Sequence, residues 1–127
     1  MNITTRTLKA LIQADLKNKM VFLGGPRQVG KTTLAKSLLK SETDYYNWDD
    51  LKQKSLILKS QIDSSSKLIV LDEIHKYKNW RTLVKGYFDT NFPKSNILVT
   101  GSARLDHFRK GGDSLVGRYH YYRMHPF

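Results

Sequence analysis

The spacing of apolar residues changes period several times along the chain. Leu8, Leu11, Ile12 and Leu16 recur at helical intervals, which predicts an amphipathic helix over roughly residues 4–17. MVFLG is a nearly continuous apolar run, the pattern of a strand covered on both faces. TTLAKSLLK reads as a helix with Leu34, Leu38 and Leu39 on one side, and DYYNW as a second strand. A helical DLKQKSLILKSQI, a polar SSSK break and a third strand in KLIVLDE follow. YKNWRTLVKGYFDTNF predicts a helix whose buried stripe is Trp80, Val84, Tyr87 and Phe88. NILVTGS gives a fourth strand, ARLDHFRKG a short helix and GRYHYYRMH a fifth strand.

Strands alternating with helices predict right-handed crossovers and an α/β fold, a parallel sheet with helices on both faces. Ligands of such sheets bind beyond the carboxyl ends of the strands. GGPRQVGKT, DE and TGS each follow an apolar strand directly, so three strands deliver polar residues to one edge.

The first of these segments is the most specific. Gly25, Pro26, Arg27, Gln28, Val29, Gly30, Lys31 and Thr32 fit G-x-x-x-x-G-K-[ST] between a strand and a helix. Glycines allow backbone angles and close approach that a Cβ forbids. Successive amides can then converge on an anion at the positive end of the helix. Lys31 is the candidate for the β- and γ-phosphates of a nucleotide, and the Thr32 hydroxyl for Mg²⁺. Thr33 is a candidate cap or contact for a more distal phosphate. A plain glycine turn with a surface lysine is disfavoured by the complete match in this context.

LIVLDEIHK carries Asp72 to the sheet edge, where a carboxylate can hold magnesium through water. Glu73 faces differently from Asp72 and can polarise an attacking water. Asp72 could also serve as a helix N-cap, a role compatible with metal binding. An acid poised for water points to ATP hydrolysis rather than to transfer onto a bound substrate. In TGSAR, Thr100 and Ser102 are both candidates to sense the γ-phosphate; alternation puts them on the same side of the strand, so spacing does not choose. Arg104 and Arg118 are candidate charge stabilisers for the transition state. The tail RYHYYRMHPF reads as a final strand, although its basic and aromatic residues also suit base stacking.

Composition narrows the classes. The chain has 127 residues, enough for one domain, and no cysteine, which excludes disulfides, thiolate catalysis and Cys-ligated zinc. No apolar stretch reaches membrane-spanning length, so no membrane role is expected and a cytoplasmic location is the default. The formal net charge is +11, spread as twelve Lys/Arg against six Asp/Glu in residues 1–71 and ten against five in the remainder. Such a field suits a polyanion, nucleic acid included, although solvated basic surface explains it somewhat better. GTP-specific N/T-K-x-D is lacking, which leaves ATP by elimination.

Taken together, GPRQVGKTTL, LIVLDEIHKYKNW, NILVTGSAR and SLVGRYHYYRMHPF resemble the N-terminal half of a family of prokaryotic AAA+ (P-loop ASCE) ATPases, in which a C-terminal domain of unknown function follows the core. The resemblance implies a three-layer sandwich with strand order 5-1-4-3-2. It implies phosphate and magnesium binding by Lys31 and Thr32, metal support by Asp72 and catalysis by Glu73. By the same token Thr100 or Ser102 is the sensor, and Arg118 occupies a Gly-Arg position with an arginine-finger or sensor role. Relatives continue beyond HPF, so residues 1–127 are expected to form a single ATPase core without its helical lid and C-terminal domain. Nucleotide binding should then survive better than hydrolysis, and any homo-oligomer belongs to the full-length context. Two alternatives are a nucleic-acid-binding module with residual ATPase and a small P-loop kinase.

Overall fold

A computed structural model describes residues 5–25, 30–39, 44–59, 62, 67–92, 94–101 and 119–124. Among the described residues ten elements follow the expected order, one of them a short turn. They are helix α1 (Thr5–Leu16), strand β1 (Met20–Gly24), helix α2 (Lys31–Ser37), strand β2 (Tyr45–Asn47) and helix α3 (Leu51–Leu58). Strand β3 (Leu68–Asp72), a 3₁₀ turn (Ile74–Lys76), helix α4 (Trp80–Asn91), strand β4 (Asn96–Thr100) and strand β5 (Tyr119–Arg123) complete the order. The strands form one parallel sheet in the order β2-β3-β4-β1-β5, which is the expected 5-1-4-3-2 arrangement written from the other edge.

Strand alternation divides the core into two layers. Met20, Phe22, Ile69, Leu71, Ile97 and Val99 face α3 and α4. Val21, Leu23, Val70 and Leu98 face α1 and α2. A strand covered on both faces needs apolar residues at every position, which is why β1, β3 and β4 read as continuous runs. On α1 the buried residues are Leu8, Ile12 and Leu16, four apart, whereas Leu11 is 41% exposed. At the edge of that stripe Asp15 accepts a hydrogen bond from Tyr122 and lies 2.5 Å from His120 Nδ1, tying α1 to β5. Burial, and then Asp15, push the Tyr122 phenol up to about 12.

Two segments depart from the sequence expectation. The run from Tyr77 does not open α4, because Tyr77 is extended and the helix begins at Trp80, with Trp80, Val84 and Tyr87 buried and Phe88 only partly so. Helix α3 starts where Asp50 accepts from the amides of Lys52 and Gln53 at 3.0 and 3.1 Å, an N-cap that satisfies two orphan donors. It ends at Leu58, earlier than the apolar pattern suggested. The short helix expected at ARLDHFRKG lies outside the described residues.

Candidate functional site

The glycine turn opens from the carboxyl end of β1, the most enclosed strand of the sheet. Gly25 has φ +136°, and a Cβ there would come 2.3 Å from the backbone oxygen of Met124, just past β5. Only glycine fits this position, because both the angle and the neighbouring backbone exclude a side chain. Gly30, with φ +88°, occupies the N-cap of α2 in the left-handed region. Lys31 begins the helix, is buried, and its Nζ donates to Gly25 O at 2.6 Å. The ammonium therefore closes the far end of the turn onto its start. Pro26, Arg27, Gln28 and Val29 lie outside the described residues.

At the neighbouring strand ends, one carboxylate gathers three hydroxyls. Parallel register sets Asp72 opposite Thr100 on β4 and Asn47 on β2. Thr100 Oγ1 donates to Asp72 Oδ1 at 2.7 Å, while Asp72 Oδ2 accepts from Thr32 Oγ1 at 3.3 Å and from the Tyr45 hydroxyl. Asp72 is 5% exposed and Thr100 fully enclosed. Charge-assisted hydrogen bonds of this kind are what make a buried carboxylate tolerable. Burial first, and then the Asp72 carboxylate, raise the Tyr45 phenol well above its usual value. The N-cap position of the following turn falls on Glu73, without a side-chain cap bond, so Asp72 does not fill the capping role.

Glu73 reaches the same cleft by a backbone device. Continued extension would send its side chain to the opposite face from Asp72. Instead Glu73 adopts φ 62° and ψ 19°, a left-handed conformation that costs a non-glycine residue on the order of 1–3 kcal/mol. Its amide donates to Thr100 O at 2.9 Å, which holds the turn against β4. Burial raises the Glu73 carboxyl above its ordinary value, Asp72 adds to the rise, and Lys76 opposes it.

The result is a cleft of about 420 Å³ at the carboxyl edge of the sheet, floored by Lys31, Thr32, Thr33 and Gly30 and walled by Asp72 and Glu73. That volume is within the range of small-molecule sites. Asn47 and Asp49, from the end of β2, complete its lining. Among the described residues no group of three His, Cys, Asp or Glu could hold a metal alone. The donors present are a hydroxyl and a carboxylate, hard oxygens suited to Mg²⁺ that takes its remaining ligands from phosphate and water.

Of the expected site residues, Gly25, Gly30, Lys31, Thr32, Thr33, Asp72, Glu73 and Thr100 come together at this edge. Ser102, Arg104 and Arg118 lie outside the described residues. Sequence reasoning missed Tyr45, Asn47 and Asp49. Their only signal was that DYYNW reads as a strand, whose parallel register would deliver its carboxyl end to the same rim.

The AAA domain profile matches residues 17–127. Uncharacterized protein MJ1637 of Methanocaldococcus jannaschii is 29% identical over 108 residues, an alignment that covers 70% of this chain and 22% of that protein. A solved chain from a study of DNA unwinding at forked double-stranded DNA by two coordinating Pif1 helicases superposes with a TM-score of 0.52 at 19% identity, covering 100% of this chain and 45% of its own. PCH-2 of C. elegans gives 0.51 at 18% identity, with 97% and 42% covered. At such identities the two solved structures speak for the fold. The chain spans less than a quarter of MJ1637 and less than half of either solved chain. Among the described residues no helix is long and apolar enough to cross a membrane.

Proposed function

Because the chain belongs to the AAA domain family, we propose that its nucleotide-binding, ATPase-type core takes ATP with Mg²⁺ and hydrolyses the terminal phosphoanhydride. The carrying observation is the meeting of Thr32 and Asp72 at one carboxylate oxygen, 3.3 Å apart, with Lys31 and Glu73 on the same cleft.

In this reading the amides of residues 25–30 and the Lys31 ammonium hold the phosphates, with Thr33 beside them. Thr32 and Asp72 would hold magnesium, which supplies neutralisation of phosphate charge when bound. Glu73 orients the attacking water and takes its proton as the water oxygen bonds to the γ-phosphorus and the bond to the β-phosphate oxygen breaks. Its raised carboxyl makes it a stronger base than an exposed glutamate. Thr100 acts by orienting Asp72, to which its hydroxyl is committed. Ser102 then remains a candidate γ-phosphate sensor and Arg118 a candidate charge stabiliser.

Calorimetric titration of ATP and GTP, each with and without Mg²⁺, tests the binding half. ATP should bind and Mg²⁺ should strengthen it; preference for GTP or indifference to Mg²⁺ contradicts the reading. For the chemical half, Glu73→Gln should keep ATP binding and lose turnover, and equal turnover would remove Glu73 from the mechanism. A second reading, nucleic-acid binding, draws on the net charge of +11. It requires an affinity for DNA or RNA that falls steeply with salt and does not depend on Lys31.

A further inference from the structure

We propose that His75 is a positioning residue for Glu73, a wedge that ties the carboxylate to the carboxyl end of β4. The inference deepens the hydrolytic reading above and rests on it.

Glu73 Oε2 is enclosed and makes no hydrogen bond among the described residues. Two cationic or potentially cationic groups flank it instead. His75 Nε2 lies 3.5 Å away and Lys76 Nζ 3.6 Å away, the latter held in turn by Asp49 at 2.8 Å. The His75 side chain is only 4% exposed, against 16% for Glu73. An enclosed carboxylate oxygen costs free energy unless donors face it, so this pair of neighbours fixes which way the carboxylate turns. None of Glu73's exposed area therefore belongs to Oε2, and what the side chain offers the cleft comes from its other atoms.

The far side of the imidazole sets its own position. A Cβ at Gly101 would come 2.6 Å from His75 Nδ1 and 2.9 Å from Cε1, so the ring occupies the space that any other residue would need there. Gly101 directly follows Thr100, and its amide donates to Leu23 O at 3.2 Å on β1, next to the glycine turn. The ring thus spans from the β4–β1 rim to the water-polarising acid. A displacement of that rim is carried to Glu73 by van der Waals contact, while the Glu73 amide remains pinned to Thr100 O. A histidine that merely filled space would need only its volume, whereas a positioning histidine needs a donor at the reach of Nε2.

That difference decides the test. His75→Gln places an amide near the reach of Nε2, and His75→Asn only near that of Nδ1, with similar size and polarity. Turnover and calorimetric ATP affinity are measured on the full chain for both variants, beside Gly101→Ala and Glu73→Gln, with thermal melting as the folding control. His75→Asn should lose about tenfold or more in kcat with ATP affinity unchanged, since misplacing a catalytic group has effects of that size. His75→Gln should restore most of the rate. Gly101→Ala, which pushes the ring from behind, should follow the Asn variant. Whatever residual turnover Glu73→Gln retains should not fall further when His75→Asn is added. Equal rates in the Asn and Gln variants while Glu73→Gln is inactive overturn the positioning role and leave hydrolysis standing. Absent wild-type turnover, or full turnover in Glu73→Gln, overturns the hydrolytic reading and this inference with it.

Discussion

Replacing Thr100 with valine removes one hydroxyl from the site while keeping the side chain's shape. Thr100 is fully enclosed, and its Oγ1 donates to Asp72 Oδ1 at 2.7 Å, across a β3–β4 register that pairs the two residues directly. Asp72 is itself 5% exposed, so water does not replace the lost donor freely. A hydrogen bond to a charged group contributes about 1.5–3 kcal/mol, and Thr100→Val should destabilise the fold by that amount. Thr100→Ser keeps the donor and loses a methyl group, at about 1 kcal/mol. Urea unfolding followed by the fluorescence of the buried Trp48 and Trp80 reads both variants. With a urea m-value of about 1–3 kcal/mol/M, the valine midpoint should fall by roughly 1 M. In an Asp72→Ala background the cost of valine should largely vanish, because the acceptor is gone. The Thr100–Asp72 hydrogen bond carries no such energy if valine costs no more than serine, or if its cost is the same with Asp72 removed.

Gly25→Ala should destabilise the chain by at least about 2 kcal/mol, from an unfavourable φ and a Cβ driven against Met124 O, and should abolish ATP binding; urea unfolding and calorimetry check the two parts. Glu73→Gln carries a pH signature. The folded carboxyl is raised above 4.5, chiefly by burial, so the folded state holds its proton longer than the unfolded one. Wild-type stability from this group is fully present below the unfolded value and falls as pH rises through the folded one. The glutamine variant, which lacks the titration, should therefore gain stability relative to wild type as pH rises above 4.5, as urea melts at a series of pH values would show. A glutamine variant that loses stability relative to wild type as pH rises would have the wrong sign.

Much of the arrangement was legible because it is local. Apolar runs in MVFLG and LIVLD mark buried parallel strands, and their polar successors mark the rim. What was not legible depends on pairing across the sheet. Alternation alone could not choose between Thr100 and Ser102, and only the register of β3 with β4 sets Thr100 against Asp72. Tyr45 lies 27 positions from the carboxylate it donates to, and nothing in DYYNW announces that bond. The His75 ring meets Gly101 through a turn that a helical reading of the region would not suggest. Leu11 fits the helical period, yet the sheet lies on the side of Leu8, Ile12 and Leu16, so it stays exposed. Glu73 was expected to face differently from Asp72, and what the sequence does not show is the left-handed backbone that sets both on one cleft.

In the proposed function the glycine turn and Lys31 form the triphosphate receptor. Calorimetric titration of Mg²⁺-ATP into wild type and Lys31→Ala, with both shown to be folded, addresses that claim directly. The wild type should bind, and the variant should lose at least about tenfold in affinity, or about 1.4 kcal/mol. Equal affinity in the two proteins would contradict it.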